Sequence, residues 1–374
     1  MVEYAKYELK NVCSRLSSGK SISSKMISEE GRYPVYGGNG LRGYTDHSNF
    51  SGDCAIIGRQ GAFCGNVRYF SGEAYMTEHA VVVCANNLNN THYLAYLLST
   101  MNLGRLSGQS AQPGLSVKTL GIQEIMLPSI EYQNKVVALL SSLDEKIAMN
   151  NNINDNLEQQ VQAYFQELFV DNADPAWTLG TISNLGTVVG GSTPSKSKPE
   201  YYTEDGIAWI TPKDLSINKA KFISRGENDI TELGLKNSSA SIMPEGTVLF
   251  SSRAPIGYIA IASGEVTTNQ GFKSVIPKPE IGTAYVYCFL KHNLPVIEGM
   301  ASGSTFKEVS GSTMKNVPAI IPDTETLTCF NDFCAPIFAH QRILEEQNQS
   351  LAALRDSLLP KLMSGEIDVS DIQL

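Results

Sequence analysis

The sequence lacks long apolar runs, and its longest run, Ala80 to Ala85, is far too short to cross a bilayer. Residues Met1 to Val12 mix Glu, Lys and Tyr and do not form the charged and then apolar pattern of a secretory signal. The 7 cysteines include no C-x-x-C pair, which argues against a zinc site or a disulfide framework. We therefore expect a cytoplasmic protein whose cysteines are reduced, buried thiols.

Signatures of common catalytic and nucleotide-binding sites are also missing. G-x-S-x-G, H-E-x-x-H and G-x-x-x-x-G-K-[ST] do not occur, and no Pro-Pro exists for the base-pocket motif of a DNA methyltransferase. Gly38 to Gly43 matches G-x-G-x-x-G, but the pattern predicts neither a helix after it nor a βαβ unit around it. We expect no catalytic residue, metal or bound cofactor in this chain.

Acidic residues are concentrated in two segments of a chain whose net charge is -9. Residues 131–174 hold 2 basic and 8 acidic residues, and 323–374 hold 3 and 9. Residues 1–130 hold 11 and 9, and 175–322 hold 13 and 12. Near-neutral segments can still gather cations on one face, whereas phosphate would repel the acidic ones. The charge permits nucleic-acid binding without indicating it.

One pattern occurs twice, with a period of about 190 residues once gaps are allowed. The matched pairs are Tyr7 to Val12 with Trp177 to Ile182, Tyr33 to Tyr36 with Ile207 to Ile210, Gly52 to Arg59 with Gly246 to Arg253, Gly65 to Glu73 with Gly257 to Glu265, and Leu127–Pro128 with Ile321–Pro322. A polar residue, Thr77 or Asn269, stands four residues after each matched glutamate. Short β-branched and aromatic runs between Gly, Asn and Ser clusters predict β-rich modules with helices at Tyr93 to Leu98 and Tyr285 to Lys291.

A heptad pattern follows each module. The first seam consists of Val136, Leu140, Leu143, Ile147, Asn150, Asn154, Leu157, Val161, Tyr164 and Leu168. The second consists of Phe330, Cys334, Ile337, Gln341, Leu344, Asn348, Leu351 and Leu358, with Arg355 in the same register. Each helix could pack on its own module, but two heptad helices at equivalent positions favour antiparallel pairing. A rod of about 40 residues would span roughly 60 Å, or about 17 base pairs.

The helix ends carry their own signals. Ser129 at one start and Asp323 or Thr324 at the other are natural N-caps, and Glu131 and Glu325 suit the positive end of a helix. Pro360 is expected to end the second helix.

These patterns predict an α+β fold. It consists of two duplicated β-rich globular domains separated by two long helices, which pair as an antiparallel coiled coil with pseudo-two-fold symmetry. The expected segments are 1–130 for the first domain, 131–174 for a central helical spacer, 175–322 for the second domain and 323–374 for a C-terminal helical spacer and tail.

Side chains that read bases are Arg and Lys for guanine, and Asn and Gln for adenine, with Ser and Thr as adaptable donors. The candidates in the first domain are Asn39, Arg42, Tyr44, Arg59, Arg68, Gln109, Ser110, Gln112 and Lys118. Those in the second domain are Lys196, Lys198, Lys213, Arg253, Asn269, Gln270, Lys273, Thr305 and Lys307. Each of them alone is more often a solvated surface residue than a base reader, and Arg59 and Arg253 can instead bond nearby carbonyls.

Three stretches resemble a known family. Gly191 to Ser195 with Ile207 to Asp214 resembles the opening of a target-recognition domain of type I restriction-modification specificity subunits, and Leu354 to Ile367 resembles that family's C-terminal signature. Tyr33 to Gly43 with Gly52 to Thr77 is similar to another class of the domain, in which Tyr-Gly-Gly-Asn-Gly replaces Trp-Ile-Thr-Pro. The resemblance covers essentially the whole chain.

The resemblance implies two target-recognition domains that each contact one half of an asymmetric, interrupted DNA sequence. It implies helices that set the gap and dock modification subunits, two of them, and a restriction subunit that joins the complex. S-adenosylmethionine, ATP and Mg²⁺ would be bound by those partners, and adenine-N6 methylation and ATP-dependent cleavage would belong to the assembly. A stand-alone methyltransferase or nuclease and a non-DNA adhesion or structural repeat protein are the alternatives.

Overall fold

The computed structural model describes residues 2–107, 114–303 and 307–372, and the chain divides into two compact units. Unit 1 comprises Met1–Ile147 and Ser350–Leu374, and unit 2 comprises Ala148–Gln349. The unit boundaries cross both long helices. Each β-rich module therefore forms one packing unit with the helical segments beside it.

The module of unit 1 is built on a six-stranded sheet and a two-stranded ribbon. Its strands are β1 (Ala5–Glu8), β2 (Cys13–Ser18), β3 (Tyr33–Gly37), β4 (Gly40–Thr45), β5 (Phe50–Gly58), β6 (Val67–Met76), β7 (Ala80–Ala85) and β8 (Glu124–Leu127). The sheet has the order β2-β7-β5-β6-β3-β4, and β1 pairs with β8. Neighbouring strands are antiparallel except β3 and β6, which are parallel.

The described residues of the module of unit 2 form three sheets. Its strands are β9 (Thr178–Thr181), β10 (Gly186–Gly190), β11 (Tyr202–Thr203), β12 (Ile207–Ile210), β13 (Phe222–Ile223), β14 (Asn228–Ile230), β15 (Val248–Ser252), β16 (Ile256–Ala262), β17 (Thr267–Thr268), β18 (Lys273–Pro277) and β19 (Pro318–Ile321). The sheet orders are β10-β18-β15-β16-β13, β11-β14-β12-β17 and β19-β9. The order β10-β18-β15-β16 repeats β2-β7-β5-β6 of unit 1, as the duplication predicts.

The helices include two that are much longer than the rest. In chain order they are α1 (Thr91–Thr100), α2 (Val117–Gly121), α3 (Ile130–Gln166), α4 (Ile182–Leu185), α5 (Pro212–Ile217), α6 (Glu232–Lys236), α7 (Thr283–His292), α8 (Leu294–Gly299), α9 (Gly311–Lys315) and α10 (Thr324–Ser364). Helices α1 and α7 lie where the two short helices are predicted. Tyr93 and Tyr285 are among the largest fully buried side chains and anchor these helices in the two cores.

The central strands of unit 1 bury both of their faces, because successive side chains of a strand point to opposite sides. Ile57 and Val81 pack with α1 in one apolar cluster. Ile56 and Val82 pack with Phe50 in a second cluster on the other face. Burial on both sides explains why the sequences of these strands are continuously apolar and do not alternate between apolar and polar residues.

The two-stranded ribbons show that the first matched pair of the repeat, Tyr7 to Val12 with Trp177 to Ile182, is three residues out of register. Leu9 N–H donates to the carbonyl of Gln123 at 2.9 Å, and Ile182 N–H donates to that of Val317 at 3.1 Å. Leu9 therefore corresponds to Ile182, although the sequence match paired it with Leu179. Leu9 and Ile182 are buried, while Leu179 is 82% exposed. Leu9 and Leu179 were matched because both are leucines, but the equivalent position is defined by burial and not by residue type.

All residues of the two heptad seams are buried or half-buried. The caps lie where the sequence places them: the Ser129 hydroxyl accepts from Tyr132 N–H at 3.4 Å, and an Asp323 carboxylate oxygen accepts from Thr326 N–H at 2.9 Å. The bonds that Thr326 donates hold the pKa of Asp323 down, at about 2.

The helices pair in antiparallel fashion, which confirms the predicted helix pair. In unit 2, the Asn150 side chain donates to Asn348 Oδ1 at 2.9 Å, and Gln341 donates to the carbonyl of Asn154 at 3.1 Å. In unit 1, Arg355 bonds Asp144 at 2.7 Å. Increasing residue numbers in α3 thus meet decreasing numbers in α10.

The prediction that Pro360 ends the second helix is wrong. Helix α10 continues to Ser364 and is followed by Gly365 at φ 74°, a conformation that glycine adopts without strain. Pro360 lies on an exposed face, whereas Leu362 and Met363 in the next turn are buried. Burial of two large side chains, about 1.5–3 kcal/mol each, is comparable with the cost of an internal proline of about 3 kcal/mol.

Three further properties concern the described residues alone. No helix among them is long and apolar enough to cross a membrane, and no group of three or more His, Cys, Asp or Glu side chains could hold a metal ion. The cysteines are free. The expectation of buried thiols is met by Cys54, Cys288 and Cys334, whereas Cys13, Cys64 and Cys84 are half-buried and Cys329 is exposed. The Cys329 thiol lies 3.4 Å from the Tyr164 hydroxyl, at the exposed side of the helix pair.

A buried charge cluster joins the module of unit 2 to the long helices. Glu158 of α3 forms ion pairs with Lys221 and with Lys291, the latter at 2.6 Å, and Lys221 also donates to Gln341 of α10 at 2.5 Å. The Lys221 ammonium lies 4.1 Å from the ring centroid of Phe338. Burial alone would raise the pKa of Glu158, but the two lysines hold it below its usual value of 4.5. The module is therefore held on the helices by compensated charges as well as by apolar contacts.

We expect Glu158→Gln to destabilise unit 2 by about 3–5 kcal/mol, because it leaves Lys221 buried without its carboxylate. Both tryptophans, Trp177 and Trp209, belong to unit 2. Chemical denaturation followed by tryptophan fluorescence therefore reports on this unit alone. The depressed pKa means that the contribution of Glu158 is present above about pH 4.5 and is lost as the pH falls through the lowered value.

The matched control is Glu227→Gln, which breaks the exposed ion pair between Glu227 and Lys213 in the same unit. This change should cost at most about 1 kcal/mol. Equal effects of the two substitutions would contradict the anchoring role of Glu158.

Candidate nucleic-acid interface

Three segments meet at the end of β5 in unit 1. Arg59 N–H donates to the carbonyl of His79 at 3.0 Å, and the Arg59 carbonyl accepts from Leu115 N–H at 2.8 Å. The loop Thr77–His79 is fixed in turn, because Thr77 N–H donates to the carbonyl of Tyr36 at 2.9 Å. We use the term loop junction for the place where the end of β5, the loop Thr77–His79 and the segment at Leu115 meet.

The same junction occurs in unit 2. Ser252 N–H donates to the carbonyl of Gly271 at 2.7 Å, and the Ser252 carbonyl accepts from Val309 N–H at 3.0 Å. Asn269 N–H donates to the carbonyl of Ile210 at 3.0 Å, as Thr77 does to Tyr36. The two modules therefore share one main-chain frame at this point.

The frame shows that Arg59 corresponds to Ser252, so the match of Arg59 with Arg253 is one residue out. The offset holds along the whole strand, because Val248 pairs with Val275 of β18 as Ala55 pairs with Val83 of β7. The two arginines consequently have different surroundings. Arg59 is half-buried and donates to the carbonyl of Leu115 at 3.2 Å, which is the structural role that the sequence left open for it.

A glycine-rich hairpin covers the junction of unit 1. The turn between β3 and β4 places Gly38 against the loop, where an added Cβ would lie 3.0 Å from the carbonyl oxygen of His79. The Arg42 side chain crosses Gly37, and the Arg68 guanidinium lies against Gly40, so a Cβ would lie 2.7 or 2.8 Å from them. The glycines thus allow two cationic side chains to lie flat on the hairpin.

Arg42 and Arg68 are exposed, as is Asn39 at the hairpin turn. In the part of the chain that the structure describes, neither arginine forms an ion pair with a carboxylate. Other cations of unit 1 do, such as Lys6 with Glu124 at 2.7 Å. Arg42 and Arg68 are therefore exposed cations without a carboxylate partner on the hairpin that covers the loop junction.

A different element covers the junction of unit 2. Strand β12 leads directly into α5, whose first turn is capped by Thr211 N–H and hydroxyl bonds to Asp214 at 2.7 and 2.6 Å. Pro212 lies against the loop here, with its Cγ 3.0 Å from an added Cβ at Gly271. The hairpin and the helix thus occupy equivalent positions with different side chains.

Several candidates of the second module gather at its junction. Arg253 and Lys273 lie 3.7 and 3.6 Å from the Glu308 carboxylate, and Lys273 donates to the carbonyl of Gln270 at 3.3 Å. Gln270 is exposed and accepts a hydrogen bond from the Thr193 hydroxyl. Asn269 has a structural role, since its side chain accepts from Gly271 N–H at 2.8 Å.

Lys307 lies beside this group and lines a cavity of about 770 Å³ together with Arg253, Glu298 and Glu308. Glu308, which contacts two of the candidates, is absent from the predicted set, because only cationic, amide and hydroxyl groups were expected to read bases. The position of Glu308 directly after Lys307 is the only sequence signal that could have suggested it.

The remaining candidates lie elsewhere or outside the described residues. Tyr44 lies on β4, where its main chain pairs with Ser28, and Lys118 lies on α2. Lys196 and Lys198 lie on the loop after β10, and Lys198 pairs with Glu200 at 3.8 Å. A hydrogen bond to Glu227 raises the pKa of Lys213 on α5. The residues outside the described ranges are Gln109, Ser110, Gln112 and Thr305.

Comparison with known proteins gives a consistent result. The family model described as type I restriction modification DNA specificity domain matches residues 1–159 and 176–347. The chain is 41% identical over 191 residues to the type I restriction enzyme MjaIX specificity subunit of Methanocaldococcus jannaschii, covering 49% of this chain and 44% of that protein. It is 24% identical over 331 residues to the HindI specificity subunit of Haemophilus influenzae, covering 68% and 71%.

A solved structure has the same fold. The crystal structure of the type I restriction-modification S subunit from M. genitalium superposes with a TM-score of 0.63 at 17% identity and covers 96% of both chains. The match to the MjaIX subunit spans less than half of that relative's length. The family model nevertheless covers most of this chain and matches it twice, once in each module. The chain belongs to the family of type I restriction-modification specificity subunits.

Proposed function

We propose that this chain reads a bipartite, gapped DNA sequence for a type I restriction-modification complex, with each module contacting one half of the target. The observation that carries the proposal is the loop junction. It occurs twice on the same main-chain frame but is covered by a glycine hairpin with Arg42 and Arg68 in one module and by α5 in the other. Two similar frames with different side chains suit the reading of two different half-sites.

The chain itself supplies recognition and no chemistry in this proposal. Modification subunits, two of them, would bind S-adenosylmethionine and methylate adenine at N6. A restriction subunit would bind ATP and Mg²⁺ and cleave DNA. The helix pair would dock the modification subunits and set the gap between the half-sites, since phosphate repels its acidic surface and a protein partner does not.

The direct test is co-expression with a type I methyltransferase subunit from the same genome, followed by mapping of methylated adenines in the host DNA. We expect a gapped motif that disappears when the gene for this chain is deleted. Methylation that persists after the deletion, together with the absence of a stable complex, would contradict the proposal.

The role of the helices predicts how the gap changes with their length. One heptad inserted into each helix, between Asn151 and Asn152 and between Glu346 and Gln347, keeps the seam in register and lengthens the pair by about 10 Å. The methylated motif should gain about 3 base pairs of gap while both half-sites stay the same. The control is the same insertion in α3 alone, which misaligns the seam and should abolish methylation. An unchanged gap in the double insertion would count against the spacer role.

The arrangement in unit 1 predicts that the double substitution Arg42→Ala and Arg68→Ala impairs recognition of one half-site only. A lost base contact should weaken discrimination by about 5- to 100-fold, and a lost phosphate contact should reduce the salt dependence of binding by about one unit of slope. Binding of labelled duplexes by the complex at several salt concentrations separates the two cases.

Lys6→Ala is the matched control for these arginines, because Lys6 is an exposed cation of unit 1 that is neutralised by Glu124. It should leave both affinity and motif unchanged. If the arginine variant behaves like this control, the hairpin does not contact DNA.

A further inference from the structure

One carboxylate lies among the cations of the second loop junction. Glu308 is 3.7 Å from Arg253 and 3.6 Å from Lys273, and its side chain is 39% exposed. Phosphate repels a carboxylate, so an acidic group on a DNA-reading surface weakens binding unless it has a partner there. DNA binding explains the cations at this junction, but it does not explain the carboxylate of Glu308.

The main chain holds Glu308 in a fixed position. Its N–H donates to the carbonyl of Ser302 at 2.9 Å, and Ser302 N–H donates back to its carbonyl at 3.1 Å. The next residue, Val309, is buried and bonded to Ser252 of the junction. On the opposite side, Ala254 follows Arg253 at φ 49°, a conformation that residues other than glycine rarely adopt. The carboxylate and the guanidinium thus project from two constrained segments.

The carboxylate is specific to the second module. Val309 corresponds to Leu115 in the shared frame, so the position of Glu308 is occupied by Gly114 in unit 1. A side chain that supported the common frame would be needed in both modules. Glu308 differs in this respect, as expected of a residue that serves only one of two half-sites.

The chemistry of the group matches one base pair best. A carboxylate only accepts hydrogen bonds, and cytosine presents a single amino donor, N4, in the major groove. Adenine also has an amino donor, but its N7 acceptor lies beside N6 and repels a carboxylate. Guanine presents the acceptors O6 and N7, which suit Arg253 or Lys273. The acceptor and the two cations are therefore complementary to a C·G pair.

We propose that Glu308 is a specificity-determining residue that accepts a hydrogen bond from the N4 amino group of a cytosine in the half-site of the second module. Arg253 or Lys273 binds the guanine of the same pair. This inference rests on the proposed function and names the base pair that this junction reads.

The test is Glu308→Gln in the complex with the methyltransferase subunits, with adenine-methylation mapping as the readout. Glutamine donates and accepts, which matches N6 and N7 of adenine. Preference at one position of one half-site should shift from cytosine towards adenine by about 5- to 100-fold. The other half-site and the gap should not change. Glu308→Ala should lose the discrimination at this position without gaining adenine.

Glu298→Gln is the matched control, since Glu298 lines the same cavity and forms no ion pair with Arg253 or Lys273 among the described residues. It should leave the motif unchanged, and tryptophan fluorescence checks that unit 2 of every variant is folded. Two results would overturn the inference: a wild-type motif with no C·G pair in either half-site, or a Glu308→Gln complex that binds all sequences more tightly with the same motif. The second result would make Glu308 a simple counter-ion. A wild-type complex that methylates no gapped motif would instead overturn the proposed function itself.

Discussion

The loop junctions depend on main-chain hydrogen bonds at the ends of strands. The bonds from Arg59 to His79 and from Leu115 to Arg59 recur at Ser252, Gly271 and Val309. Buried backbone groups must be paired whatever side chains they carry, so such bonds persist when the residues change. The frame can therefore present arginines on a glycine hairpin in one module and a carboxylate between two cations in the other. Recognition residues vary on loops because a rigid scaffold positions them.

The helix pair combines apolar packing with polar contacts that fix its register. Leucine layers alone would tolerate a shift of one heptad, whereas the hydrogen bond that the buried Asn150 donates to Asn348 forms in one alignment only. The cluster around Glu158 acts similarly between module and helices, because Lys221 finds its carboxylate, Gln341 and the Phe338 ring together in one arrangement. An arrangement that separates the members of such a group leaves a buried charge without its partner, which is strongly unfavourable.

Much of this architecture could be predicted from the sequence. The heptad seams, the caps at Ser129 and Asp323 and the duplication all follow from periodicity and residue type. The errors have local physical causes: Leu9 was matched to an exposed leucine, and Pro360 was overridden by burial of the turn that follows it. The strands that end at Arg59 and Ser252 were matched one residue out of register, because the pairing with β7 and β18 that fixes their register is not visible in the sequence. The candidate site was harder to predict from the sequence, because the role of each side chain depends on contacts with residues that are distant along the chain. Arg59 donates to the carbonyl of Leu115 and Lys213 is paired with Glu227, and neither contact is visible in the sequence.

The central claim is that each module determines one half of the target. The most direct measurement is adenine-methylation mapping after residues 1–130 are replaced by the first recognition domain of another specificity subunit, with residues 131–374 retained. The account predicts that one half-site changes to that of the donor, while the other half-site and the gap are kept. A change in both half-sites, or in neither, would contradict it.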